Sequence, residues 1–269
     1  MPASALALAL GSAALHATWN LLLGRARDVQ AAAAATFILS VALAAPFAIA
    51  WWEADADVWP YALASALLEA VYVVGLAQAY RTSDVSFVYP LTRGLAPVLA
   101  LGFTVVALGH GVSAAEVGGV LLVAVGVVLV RGVGTRGDAR AIVLVVTIAA
   151  TIAAYTLVDR AGIQHAGALT YFVLVLAGPC LVTLPLVGWT PIRRQLSAAT
   201  LAAAAANVGS FTLGLLALRV GPAAPVLAVR SSSIVIATLF AGRLLAERVA
   251  PARLAGAVLV FAGIAILAL

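Results

Sequence analysis

Apolar residues run through this chain in blocks of helix length, and the gaps between blocks carry glycine, proline or charge. Ten blocks can be drawn, at 4–24, 31–52, 58–80, 85–108, 113–131, 139–159, 167–188, 196–218, 223–244 and 250–268. A helix of roughly 20 apolar residues crosses about 30 Å of hydrocarbon, so each block has about the length of one crossing. Alternation over segments of about 10 residues, the mark of a membrane β-barrel, does not occur in the sequence. The pattern predicts an all-α polytopic membrane protein with ten transmembrane helices. The run from Gly132 to Asp138 reads as a central cytoplasmic linker between a first five-helix repeat at 1–131 and a second at 139–269.

Composition agrees, since 65% of the 269 residues are hydrophobic and only 9% are charged. Soluble chains carry about 25% charged residues, so most of this surface is expected to meet lipid. The pI near 10 does not point to nucleic acid, because the 15 basic residues, all arginine, are scattered over segment ends without a cluster. They act as topology signals. The gaps after blocks 1, 3, 5, 7 and 9 hold eleven arginines, and those after blocks 2, 4, 6 and 8 hold only Arg160 and Arg219. The arginine-rich side is therefore expected in the cytoplasm and both termini outside. Trp51, Trp52 and Trp59 around Glu53, Asp55 and Asp57 fit an outer turn at the interface. The first block has no basic residue ahead of it and equally apolar blocks behind it, so it is expected to be a membrane helix and not a cleaved leader. The lone Cys180 offers no disulfide framework.

The two halves repeat each other. At an offset of 137 residues Gly118 to Gly126 falls on Ala255 to Gly263 and Arg93 falls on Arg230, while an offset of 136 places Trp19-Asn20 on Tyr155-Thr156. Five crossings per half is an odd number, so the second repeat enters the membrane from the opposite side and the repeats are inverted. Gly119 and Gly126, with Gly256 and Gly263, recur at seven-residue spacing as a small-residue stripe suited to close helix packing.

Polar residues inside the blocks are candidates for chemistry. Glu69 sits near the middle of the third block, where an ionised carboxylate costs at least a few kcal/mol; such a group suits proton uptake and release during a transport cycle. Tyr72 and Leu76 continue its helix face. Arg93 lies about 12 Å into the fourth helix at 1.5 Å per residue, between Pro90 and Pro97, with Tyr89 one turn earlier. Arg230 is its counterpart, followed by Ser231, Ser232 and Ser233. The two arginines are expected either to line an electropositive path for a carboxylate or phosphate or to snorkel as helix anchors. His16, Trp19 and Asn20 share one polar face of the first helix, as a cavity wall or an interhelical hydrogen-bond set. Tyr155 is the second-half counterpart, and Asp159, one turn on, is close enough to the outer end to be solvated. Asn207 and Gln78 are weaker candidates, and His110 and His165 read as loop residues. No nucleotide, metal or cofactor motif is present, so an ATP-driven mechanism would need another chain.

Three stretches carry a family resemblance: the opening His16-Ala17-Thr18-Trp19-Asn20, the segment from Tyr80 to Pro97, and Glu247-Arg248 before a last glycine-bearing helix. They resemble EamA-type members of the drug/metabolite transporter superfamily. The resemblance implies a central cavity between two five-helix bundles, alternating access without ATP, and a metabolite or drug as cargo. Leu227 stands where the first half has Pro90, so the helix break is expected to be asymmetric. Together these features predict a multi-pass inner-membrane secondary transporter of a small molecule, with proton-coupled export as the expected mode. The competing reading is a polytopic membrane enzyme on a lipid-linked substrate, with Glu69, His16 or Asp159 as acid or base.

Overall fold

The computed structural model describes residues 1–82, 85–106, 109, 111–131, 139–236 and 251–268, apart from the side chains of 80–82, 85–87, 89, 90, 131, 253, 254 and 268. The expected linker at 132–138, His110, Arg243 and Arg248 lie outside these residues, as does the side chain of Tyr89. The described chain forms α1 (Ala3–Leu23), α2 (Val29–Ala50), α3 (Val58–Thr82), α4 (Val85–Val106), α5 (Ala114–Arg131), α6 (Ala139–Gly162), α7 (Ala168–Val187), α8 (Trp189–Arg194), α9 (Ala198–Val220), α10 (Ala223–Ser231) and α11 (Pro251–Ala268). Alanine and leucine are strong helix formers, and a helix satisfies its own backbone in a medium without water. Polar side chains mark starts: Asp28 accepts from the Ala31 amide at 3.0 Å, and Ser197 accepts from Thr200 at 3.2 Å. These are N-caps.

Among the described residues six helices (α1, α2, α3, α6, α7 and α9) are long and apolar enough to cross a membrane. Shorter apolar segments occupy Leu91–Val106, Ala114–Val130, Ala223–Ile236 and Ala255–Leu267. The ninth block is helical through Ile236 with a tightened turn at Ser232, where the amide bonds back three residues to Val229 at 3.0 Å. The fourth helix runs through Pro90 and Pro97 as one element. The short α8 departs from the expected pattern. Gly188, with φ of 84°, turns the chain between α7 and α8, a backbone conformation that favours glycine.

The outward faces of the helices are apolar, and the core is largely apolar too, with a smaller set of polar groups buried inside. On α3 the outward stripe is Leu63, Leu67, Val71 and Val74, with Leu67 68% exposed, whereas Glu69 on the inner face is 7% exposed. That polarity suits lipid as the surrounding solvent.

The main packing pairs join the first half to the second: α1 with α9, α3 with α6, α2 with α7, α4 with α10 and α5 with α11. Further pairs are α4 with α6 beside α1 with α10, and α3 with α7 beside α2 with α9. Exchanging the halves maps this set of pairs onto itself. The α5–α11 contact runs through glycine. A methyl group on Gly126 would lie 2.6 Å from the Gly256 carbonyl oxygen, and one on Gly263 would lie 2.7 Å from that of Gly119. Because 119 meets 263 while 126 meets 256, the two helices are antiparallel. α1 and α9 are also antiparallel, with Gly11 against Leu213 and Gly209 against Leu15.

One end of the molecule gathers the α2–α3, α6–α7 and α9–α10 turns. Ala54 and Ala166 form an antiparallel bridge; Arg219 donates to the carbonyls of Ile163 and Ala166, and Arg160 donates to that of Gly221. Both arginines of the arginine-poor side are therefore spent on loop carbonyls. The N-terminal amine joins this end through Leu267 at 2.9 Å. At the opposite end the α1–α2 turn with Arg25 faces Gln195, Ser197 and Thr200 across a small pocket.

Candidate functional site

Midway along the bundle, α1, α3, α4, α6 and α10 bring charged and aromatic side chains together. Their antiparallel pairing explains the meeting. Ser65 and Glu69 descend α3 from the bridged end, while Asp159 and Tyr155 descend the adjacent α6 from the same end, each pair one turn apart. Glu69 lies within electrostatic reach of Asp159, Arg230 and Arg93, and Tyr155 within reach of the same two arginines and Glu69. Tyr72 meets Tyr155 edge-on with ring centroids 6.1 Å apart.

On α1, His16 makes the central contact. Trp19 donates its indole N–H to His16 Nδ1 at 3.1 Å, and the rings are perpendicular at 5.1 Å. Arg93 Nη2 approaches His16 Nε2 at 3.2 Å. Arg230 donates from Nε to Ser12 Oγ at 2.9 Å, and Ser12 passes the bond on to the Ser210 carbonyl at 2.6 Å. Ser210 returns one to the Ser12 carbonyl at 2.9 Å, which knits α1 to α9. The Arg230 guanidinium lies against Gly214, where a methyl group would sit 2.8 Å from Cζ. Ser231 Oγ bonds the Arg93 carbonyl at 3.2 Å, tying α10 to α4. His16, Arg93, Arg230, Tyr72 and Tyr155 are half-buried.

Asp159 corrects the sequence reading. It is 3% exposed and not solvated, with Oδ1 accepting from Ser65 Oγ at 2.5 Å and from Tyr171 OH at 3.1 Å. Ser65 on α3 and Tyr171 on α7 close around its carboxyl, and α6 continues past it to Gly162. Among the described residues Glu69 is thus one of two buried acids and not the single one. Among the described residues no hydrogen bond or ion pair falls to the Glu69 carboxyl. Ser12, Ser65 and Tyr171 also escaped the sequence reading; the one visible signal was the one-turn spacing of Tyr155 and Asp159.

Other candidates fall elsewhere. Asn20 bonds its own helix at the His16 carbonyl, 2.7 Å away. Asn207 bonds Ser40 at 3.1 Å and ties α9 to α2, and Gln78 is exposed. His165 is a turn residue that pairs with Asp55 at 3.3 Å and stacks on Tyr61.

Chemically, the centre holds two guanidinium groups and two carboxyls. If both acids are ionised the four charges cancel; one proton on either acid leaves the site positive.

Residues 3–132 match the model of the EamA-like transporter family. A solved crystal structure with 18% sequence identity superimposes over 99% of this chain and 96% of its own, with a TM-score of 0.77. The second half thus shares that fold although the family match ends at residue 132. No curated protein matches the chain.

Proposed function

We propose, from the membership of residues 3–132 in the EamA-like transporter family of the drug/metabolite transporter superfamily, that this chain is a secondary transporter carrying a small solute by alternating access. One observation carries the reading: two arginines and two acids, Arg93, Arg230, Glu69 and Asp159, lie within electrostatic reach of one another where helices of both halves cross. Intramembrane ionisable groups are costly and mark substrate or ion pathways. A purely structural bundle gains little from four of them in one place.

Ten crossings in two inverted repeats is the architecture that fits. The halves-exchanging set of helix pairs supports it, as does the antiparallel crossing of α5 and α11 about their glycines. In such carriers the binding site sits at the repeat interface near the midplane, and one repeat rocks against the other. Glu69, buried and without a fixed partner, is the group assigned to proton coupling; His16, Trp19, Tyr72, Arg93, Tyr155 and Arg230 are assigned to the cargo. The arginine-rich end faces the cytoplasm of an inner membrane under the positive-inside rule. The transporter family leaves the lipid-linked enzyme as the less favoured reading.

Counterflow tests the proposal. Proteoliposomes loaded with a mixture of small metabolites are expected to release one chemical class when the protein is present, and to retain it when Arg93→Gln or Arg230→Gln replaces the wild type. Equal release by wild type, variants and protein-free vesicles would contradict it.

A further inference from the structure

The end of the bundle opposite the bridged turns carries positive charge that the fold does not use. Arg25 and Arg27 lie on the α1–α2 turn, and Arg193 and Arg194 close α8. All four are exposed, and among the described residues none of their side chains makes a hydrogen bond or an ion pair. Asp28, the acid of the same turn, accepts from the Ala31 amide at 3.0 Å. At the bridged end, by contrast, Arg160 and Arg219 are held by loop carbonyls. Between the α1–α2 turn and the start of α9 lies a cavity of about 180 Å³. The first half supplies Arg25 with Leu22 and Leu23, and the second supplies Gln195, Ser197 and Thr200. Among the described residues no carboxylate lines it. Its polar wall is fixed: Ser197 Oγ and Thr200 Oγ1 share a hydrogen bond of 2.9 Å, and Thr200 Oγ1 donates to the Gln195 carbonyl.

The position of this cavity selects its ligand. α1 ends at Leu23 and α9 begins at Ala198, two antiparallel helices of crossing length, so the cavity stands at the level of lipid headgroups. Trp189, 53% exposed at the start of α8, fits that level, since tryptophan gathers at the membrane interface. Leu196 and Leu201 are exposed next to the polar wall in the chain and offer apolar surface to acyl chains. A soluble anion would use only the arginine and the hydroxyls, whereas a phospholipid uses the leucines as well. A zwitterionic headgroup would bring its own cation into a patch of four arginines. We infer that the cavity binds one anionic phospholipid, its phosphate on Arg25 and the hydroxyl wall and its chains along the leucines. Basic pockets between membrane helices take such headgroups, and the arginine fork matches phosphate oxygens. A headgroup seated there touches both halves of the chain at once. Lipid binding at this end is independent of any cargo, so it stands or falls apart from the transporter reading.

The test is native mass spectrometry of the full-length protein in neutral detergent, with dioleoylphosphatidylglycerol against dioleoylphosphatidylcholine at equal concentration. The acyl chains are the same, so any preference reports the headgroup. The wild type is expected to retain one phosphatidylglycerol about tenfold above phosphatidylcholine, the scale of one charge-assisted bond. Arg25→Gln removes the preference. Ala199→Leu removes it too, because it fills the cavity from an exposed helix position without changing charge. Arg27→Gln, on the same turn but outside the cavity lining, changes it by less than about twofold, since an exposed charge out of contact is screened. Glycerol 3-phosphate at the same concentration does not displace the lipid. Equal retention of the two lipids by the wild type would overturn the site. So would a preference that survives in either Arg25→Gln or Ala199→Leu, or one lost as fully in Arg27→Gln, the mark of diffuse surface charge. Displacement by glycerol 3-phosphate would make this a soluble-anion site and overturn lipid binding. If Arg25→Gln does not fold, Ala199→Leu against Arg27→Gln decides.

Discussion

The two central carboxyls are held in different ways, and their substitutions are expected to separate accordingly. Asp159 accepts from Ser65 and Tyr171, so Ser65→Ala, which leaves a buried carboxyl oxygen short of a donor, is expected to cost about 1–3 kcal/mol. Glu69→Gln breaks no such bond and is expected to leave thermal stability in detergent nearly unchanged. Melting curves check the ranking, and a larger loss for Glu69→Gln would contradict it. Gly214 gives a second contrast. Gly214→Ala pushes the Arg230 guanidinium aside without touching backbone, so the protein is expected to insert and melt normally while its flux falls about tenfold, the effect of losing one charge-assisted bond. Normal flux would show that the guanidinium position does not matter. The depth of Glu69 was legible because it lies mid-block. The depth of Asp159 was not, because it is created by partners on other elements, Ser65 on α3 and Tyr171 on α7. Distance from a helix end says nothing about what covers that end. The approach of Arg93 to His16 was equally hidden, because Arg93 comes from another element, α4.

At the level of elements, the glycine spacing of the fifth and tenth blocks did signal a contact surface, and the structure places those glycines against each other. What periodicity could not give is the partner or the direction, which follow from 119 meeting 263 and 126 meeting 256. Gly126→Val or Gly256→Val drives a branched side chain into opposing backbone, and overpacking of this kind costs about 1–3 kcal/mol. Both variants are expected to melt several degrees lower, and the double variant no better than either alone, because the two glycines share one crossing point. Additive rescue by pairing would contradict this geometry. Apolar runs predicted most helices to within a few residues, since length and hydropathy are local properties. They missed α8, which is too short to show periodicity and is set off only by the positive φ of Gly188.

The whole molecule is a set of helix pairs in which nearly every strong contact joins one half to the other. Among the described residues, movement of one half against the other would have to exchange contacts across this shared interface. The proposed site lies on that interface, so any rocking of the halves alters its surroundings. Orientation belongs to this scale too: reporter fusions at Leu269 are expected to be active only as extracytoplasmic reporters, and cytoplasmic activity would contradict the arginine-based topology. The most direct test of the account is solute flux in proteoliposomes under an imposed pH gradient, wild type against Glu69→Gln, using a solute found by counterflow. The account predicts gradient-driven accumulation by the wild type, and in the variant exchange of the same solute without accumulation. Full gradient-driven accumulation by Glu69→Gln would contradict it.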